Sequence, residues 1–224
     1  MEDLNYAGSQ WAKWDLHIHS NASDGKGTPA QIIQKAKEKG LSVIALTDHH
    51  TVKNIDEIKA IGRENGITVI SGIEFRTEYG EKSVHMIGLF PDENNGIELT
   101  QQALNELILG PLDLSETVIK AKAKEKEANL SDEKAFKKGI FLVQVNFKDA
   151  AKLIHKYGGL VSVHAGDKAN SIEEMKHAGT GVRNVKDVVD SLGTVKEELL
   201  CEYIYICELG SLQDKNASFY VEQF

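Results

Sequence analysis

The stretch Trp14-Asp15-Leu16-His17-Ile18-His19-Ser20 constrains this chain more than any other. Apolar and polar residues alternate there with period two, the pattern of a β-strand. The alternation predicts Trp14, Leu16 and Ile18 on one face and Asp15, His17 and His19 on the other. Two histidines two apart on a strand project the same way, so both imidazoles can reach one metal ion. Taken alone, the stretch fits a half-buried strand with two solvent histidines as well; the polar residues further along the chain favour the metal.

Further β-α alternation comes next. Thr28 is an N-cap with Pro29 at the first helical position, Ile32, Ile33 and Ala36 mark the inner face, and Gly40 stops the helix. The apolar run Val43-Ile44-Ala45-Leu46 suits a strand buried on both faces, and Leu41 to His50 ends in Thr47-Asp48-His49-His50. A helix over about Asn54 to Asn65 precedes a strand from Ile67 to Phe75 that ends Gly72-Ile73-Glu74. Then Glu78 to Leu89 breaks the alternation: Tyr79 to Lys82 reads as a turn and Val84 to Phe90 as a strand carrying His85 near its start. Pro91 to Gly96 reads as a loop with Asn95-Gly96 as its turn signal. Ile97 to Lys138 reads as helical and highly charged, with the lysines of 121–127 on a solvated face.

Alternation resumes with a helix over Phe147 to Tyr157 and a strand at Leu160 to His164. Helical patterns at Ser171 to His177 and Val195 to Glu202 precede a strand from Tyr203 to Cys207, ending Glu208-Leu209-Gly210. Repeated β-α units predict a parallel sheet, open or closed as a barrel, with function at the C-terminal ends of its strands. Those ends carry His17 and His19, Asp48, His49 and His50, Glu74, His164 and Asp167, and Glu208. One polar strand end is commonplace, but five carrying histidine or carboxylate point to one assembled site. His85 does not fit this pattern.

Composition bounds the chemistry. The 224 residues are 41% hydrophobic and 27% charged, ordinary for a globular protein. No apolar run approaches a membrane span, and residues 1–10 lack the features of a signal peptide, so a cytoplasmic protein is expected. Cys201 and Cys207 offer neither a disulfide framework nor a thiolate zinc site. The formal charge of −8 disfavours broad electrostatic binding of nucleic acid, although two or three bound cations would make a local anion-binding cleft. Histidine plus carboxylate without cysteine suits zinc, manganese or iron. A carboxylate such as Glu74 can bridge two ions, and bridged pairs clamp the oxygens of phosphoryl transfer, so phosphoester hydrolysis is favoured over redox work.

Asp15-Leu16-His17-Ile18-His19-Ser20, Ser23-Asp24-Gly25, Thr47-Asp48-His49, Gly72-Ile73-Glu74, His85 and Val163-His164-Ala165 resemble, in order, the motifs of the PHP (polymerase and histidinol phosphatase) superfamily of metal-dependent phosphoesterases. The resemblance implies a distorted (β/α)7 barrel holding two or three ions of zinc, manganese or iron. By position, His17 and His19 would bind the first ion, and Glu74 would bridge it to a second held by His85 and His164. Asp24 and His49 would help bind a third. Glu74, His49 and Arg76 are the residues expected to serve catalysis by a metal-bridging hydroxide, with Arg76 placed to meet an anionic substrate.

The family closes its site with a late Asp-x-His, and this chain has no histidine after His177. We therefore expect a single PHP-like domain over 1–224, lacking its last barrel strand, with a charged helical insertion around 97–138, at the front of a longer protein. Glu208 to Ser211 and Lys215 to Ser218 also resemble PHP domains fused to large ATPases, which implies an attached C-terminal ATPase domain. The substrate is expected to be a phosphorylated small molecule or a nucleic acid. The competing reading is a non-catalytic metal-binding module that positions or regulates such a partner. Asp15 and Asp48 are expected to orient neighbouring histidines. His50 is read as structural or substrate-facing, and His155 and His177 as surface residues. Asp167 and Lys168 are read as a helix-entry loop able to meet phosphate, and Glu208 as a carboxylate supporting the site.

Overall fold

Helix α1 (Pro29–Lys39) starts and stops as its capping residues predict. The Thr28 side chain accepts from the Gln31 N–H, the Gln31 side chain accepts from the Thr28 N–H, and Gly40 takes the left-handed conformation at φ 67°. It follows strand β1 (Trp14–Ile18) and leads to β2 (Val43–Leu46), α2 (Ile55–Glu64) and β3 (Thr68–Tyr79). This computed structural model describes residues 12–79, 82–166, 169–172, 202–211, 213, 214 and 217.

Strand β4 (Lys82–Phe90) turns back on β3 in a long antiparallel pair running from Ser71–Phe90 to Tyr79–Lys82. A two-residue hairpin comes next, β5 (Glu93–Asn94) with β6 (Ile97–Glu98), turned by Asn95 and Gly96 at positive φ. Beyond it lie α3 (Gln101–Leu104), a π-helical turn over Asn105–Leu109, α4 (Glu116–Lys126) and α5 (Asp132–Gly139). The short β7 (Val145–Asn146), α6 (Phe147–Lys156), β8 (Leu160–Ala165) and β9 (Ile206–Leu209) complete the described elements.

The main sheet runs β1-β2-β3-β4-β8-β9, with β7 paired to the end of β3. The pairs β1–β2, β2–β3 and β8–β9 are parallel, whereas β4 is antiparallel to both its neighbours. The sheet is curled into a half-barrel, because side chains on its two edge strands meet: His17 on β1 lies 2.8 Å from Glu208 beside it on β9. Among the described residues no strand joins β9 to β1. The outer face packs on α1, α2 and α6 through Ile33, Ile58 and Ile154 against Ile44, Ile73, Phe75 and Val163. The inner face carries a small apolar plug of Ala45, Ile87 and Leu89, with Leu16, Ile70 and Ile206 against it.

Several expectations shift. Leu16 packs on the inner plug and Ile18 on the outer core, so they do not share a face. The reason is a bulge between Asp15 and Ile18, where β1 carries an extra residue against β2. The 97–138 segment is broken rather than continuously helical. Pro111 lacks an N–H to continue a helix, Asp113 sits at φ 55°, and Ser115 and Ser131 cap new starts. Its lysines face carboxylates: Lys124 meets Asp132 at 2.7 Å, Lys138 meets Glu127 at 2.6 Å, and Lys120 meets Glu116 at 2.9 Å. That pairing leaves this face without the unbalanced charge that phosphate backbones require. Strand β9 begins at Ile206, because Tyr203 and Tyr205 pack around His155 instead. His155 is accordingly half-buried, its Nε2 3.1 Å from the Tyr203 carbonyl oxygen. His177, Asp167, Lys168, most of the helices expected at 171–177 and 195–202, and most of residues 215–218 lie outside the described residues.

Ile58 is fully buried between α2 and the sheet, away from the polar end. Ile58→Ala should cost about 2–5 kcal/mol of stability in urea unfolding, the range for deleting a large core side chain.

Candidate metal centre

Strand polarity gathers the polar residues at one end. β1, β2, β3, β8 and β9 share a direction, so His17, His19, His49, His164 and Glu208 lie at or just beyond the C-terminal ends of their strands, while Glu74 sits midway along the longer β3, level with them through a parallel bridge to His49. β4 runs the other way, which brings His85, near its start, to the same end. The antiparallel turn thus accounts for the histidine that broke the sequence pattern.

Glu74 stands at the centre, 1% exposed. Its Oε2 lies 3.2 Å from His17 Nε2, 2.8 Å from His19 Nε2 and 3.4 Å from His49 Nδ1. Its Oε1 lies 2.6 Å from His85 Nδ1 and 3.3 Å from His164 Nε2. Five imidazoles from the strands and strand-end loops therefore face one carboxylate. Burial alone would raise the Glu74 pKa, but hydrogen bonds from His17, His19 and His85 and the charge of His49 hold it far below the usual carboxylate range.

Two histidines are held in defined orientations by further carboxylates. His17 Nδ1 meets Glu208 at 2.8 Å and His19 Nδ1 meets Asp24 at 2.6 Å, leaving each Nε2 turned to the centre. His164 Nδ1 lies 3.2 Å from the Ala169 carbonyl, with the same effect. Burial disfavours the charged form of His17, yet the Glu208 and Glu74 hydrogen bonds outweigh it and raise the pKa to about 9. His19 is likewise raised against burial, by Glu74 and Asp24. His49 goes the other way, to about 4, through burial and the neighbouring His19 and His85 charges, with Glu74 opposing.

The donor set fits divalent cations. Two groups of three converge, His17 with Glu74 and His164, and His19 with His49 and Glu74, each with ligand atoms within 4.8 Å of one another. Imidazole nitrogens on one tetrahedral ion stand about 3.3 Å apart, and His17 Nε2 and His19 Nε2 are 3.0 Å apart. His49 Nδ1 is buried with no hydrogen bond to satisfy it, a costly arrangement that a cation would relieve. Nitrogen and oxygen donors without sulfur suit zinc, manganese or iron.

The surrounding residues sort themselves by contact. Asp24 reaches toward both groups: its other oxygen is 3.9 Å from His49 Nε2. Asp48 does not orient a histidine side chain. It accepts from the Ser20 N–H at 2.8 Å, the Ser20 hydroxyl at 2.6 Å and the Ser23 hydroxyl, and so pins the loop that delivers Asp24. Gly25 is required beside it, because a Cβ there would lie 2.2 Å from the His19 carbonyl oxygen. Asp15 accepts from the His17 N–H at 3.3 Å. His50, at φ 52° and buried, receives the Arg76 N–H on Nε2 at 3.4 Å and is kept neutral by burial and the adjacent His49, its pKa pushed down to about 3. Arg76 extends Nη1 to within 3.3 Å of His85 Nε2, while its buried Nε has no hydrogen-bond partner. Sequence reasoning missed Phe141, whose ring centroid stands 5.5 Å from that of His49. No periodic signal marks that residue.

The family model described as PHP domain matches residues 15–171. A 5'-3' exoribonuclease of Haemophilus influenzae is 38% identical over 98 residues, 42% of this chain and 36% of the relative. A 3',5'-nucleoside bisphosphate phosphatase of Chromobacterium violaceum is 36% identical over 93 residues, 42% of this chain and 30% of the relative. The chain thus spans about a third of the length of these curated relatives. A solved structure from Bifidobacterium adolescentis, described provisionally as a metal-dependent phosphoesterase, covers 95% of this chain and 83% of its own at a TM-score of 0.53 and 18% identity. That likeness supports the fold. Among the described residues, no helix is long and apolar enough to cross a membrane.

Because His17 carries a proton up to about pH 9 and His49 is neutral above about pH 4, cation binding near pH 7.5 should displace at least one proton. Calorimetric titration of zinc in buffers of different ionisation enthalpy measures that number, which should fall toward zero above pH 9. Glu208→Ala should weaken metal affinity by about 10–100-fold, the range for losing the partner of a ligating histidine, as measured by competition with a chromogenic chelator.

Proposed function

This chain belongs to the PHP domain family, and from that premise we propose that it hydrolyses a phosphate monoester or diester with the help of two or three divalent ions held around Glu74. One observation carries the reading: a buried carboxylate ringed by five imidazoles, bordered by an arginine whose Nη1 lies 3.3 Å from His85 Nε2. The names of the relatives, a nuclease and a nucleotide phosphatase, support a phosphoric ester as substrate.

His17 and His19, on the Oε2 side of Glu74, would hold one ion, and His85 and His164, on its Oε1 side, a second, with Asp24 and His49 helping to hold a third. When bound, zinc, manganese or iron ions supply activated water near neutral pH and neutralise the phosphoryl oxygens. Glu74 fixes the spacing of the two donor groups, since both of its oxygens are engaged. Glu208 and Asp24 hold His17 and His19 in the tautomer that leaves Nε2 free. Arg76, whose Nη1 lies 3.3 Å from His85 Nε2, takes a phosphoryl oxygen through its guanidinium N–H groups, a charge-assisted bond of the kind guanidinium forms best. His49 lies beside this arginine's stacking partner and is neutral at working pH, the form that can offer a ring nitrogen to a cation. A longer protein with an attached ATPase domain belongs to the same proposal, supported by the resemblance of residues 208–218.

The test is metal content by elemental analysis together with a phosphoester screen. Two or three equivalents per chain and turnover are expected for the unaltered protein. Glu74→Ala should lose most of the metal and all turnover while keeping its far-ultraviolet circular dichroism. Full metal occupancy with no turnover of any ester would instead favour the non-catalytic module.

A further inference from the structure

Phe141 is out of place for a structural residue. Its neighbours in sequence and space are used: Ile119, Phe136 and Ile140 form a buried cluster with Val143 against it. Phe141 joins none of the apolar clusters among the described residues and is 42% exposed. Its ring meets His49 edge-on, with an interplanar angle of 67°, and the Arg76 guanidinium carbon lies 5.8 Å from its centroid. A large phenyl ring thus stands bare at the rim of the candidate metal centre, next to the Arg76 guanidinium. The helical segment that ends at α5 delivers it to that rim.

From this juxtaposition we infer that Phe141 and Arg76 form a substrate-recognition pair: Arg76 holds the phosphate and the free face of Phe141 stacks on a nucleobase. The inference rests on the phosphoesterase reading and narrows it to nucleoside phosphates. Three physical points support it. Guanidinium binds phosphate through directed N–H groups, and the Arg76 guanidinium reaches the cluster, its Nη1 3.3 Å from His85 Nε2. An exposed aromatic ring is a sequence-tolerant platform for any base. The ring lies beside His49, so a phosphate seated at the centre keeps its nucleoside within reach of Phe141. A sugar phosphate or an aliphatic phosphate would leave that face in water.

The discriminating experiment measures binding of adenosine 5'-monophosphate and of ribose 5-phosphate, which differ by the base, to the full chain by calorimetry. The unaltered protein should bind the nucleotide about tenfold more tightly or better, the range for one stacked base. Phe141→Ala should bring the ratio of the two affinities close to one, Phe141→Leu should do the same, and Phe141→Trp should preserve it. Equal affinity of the unaltered protein for both compounds overturns the inference, as does a Phe141→Leu variant that keeps the ratio. A 5'-phosphorylated dinucleotide in parallel tells a polynucleotide end, bound more tightly than the mononucleotide, from a free nucleotide, bound equally; either result supports the stacking site. Turnover assays on the same compounds separate the two readings. Hydrolysis without discrimination removes the stacking pair and leaves the phosphoesterase. Base-dependent binding with no hydrolysis of any ester removes the phosphoesterase and leaves the pair.

Discussion

A carboxylate that is almost wholly buried must find compensating charge or hydrogen bonds, and Glu74 finds five imidazoles. The rest of the polar end is arranged to make that possible. The sheet must curl far enough to bring β1 and β8 to the same carboxylate. β4 must be reversed to offer His85 from its beginning. The segment after β2 must leave the strand so that His49 turns inward, an exit marked by His50 in the left-handed region. Without cations the cluster is only partly satisfied: His17 and His19 pair with carboxylates, whereas His49 is kept neutral by burial and the adjacent imidazolium charges and its Nδ1 has no hydrogen bond.

Much of this is legible in the sequence, for reasons that differ by element. Helix α1 is clear because Thr28, Pro29 and Gly40 carry local chemistry that acts whatever the tertiary context. The clustered residues His17, His19, Glu74 and His164 are clear because parallel strands running in one direction bring corresponding positions together, and the chain order of strands is a sequence property. His85 is anomalous because reversal of a strand is decided by pairing partners, which residue periodicity does not encode. The bulge in β1 is invisible for a similar reason. It exists only relative to β2, and it lets Leu16 fill the inner plug while His17 still reaches Glu74. The loop-pinning role of Asp48 is hidden because its partners, Ser20 and Ser23, become neighbours only once the loop is folded.

The broken 97–142 segment illustrates a different limit. Its charge pattern describes a solvated surface correctly, and its lysines do pair with nearby carboxylates. Its contribution to the site is one exposed ring, delivered by the end of α5. Such a residue has no repeat, no charge and no spacing to betray it; only its position beside His49 and Arg76 does.

The contact between His17 and Glu208 spans 191 residues. At ribosomal speeds of about 5–20 residues per second, the carboxylate emerges roughly 10–40 s after the histidine it orients. During that interval the first two histidines exist without the partner that fixes one of them. The full donor set is therefore a property of the folded sheet, and a nascent chain that captured an ion early would hold it with a different set of donors.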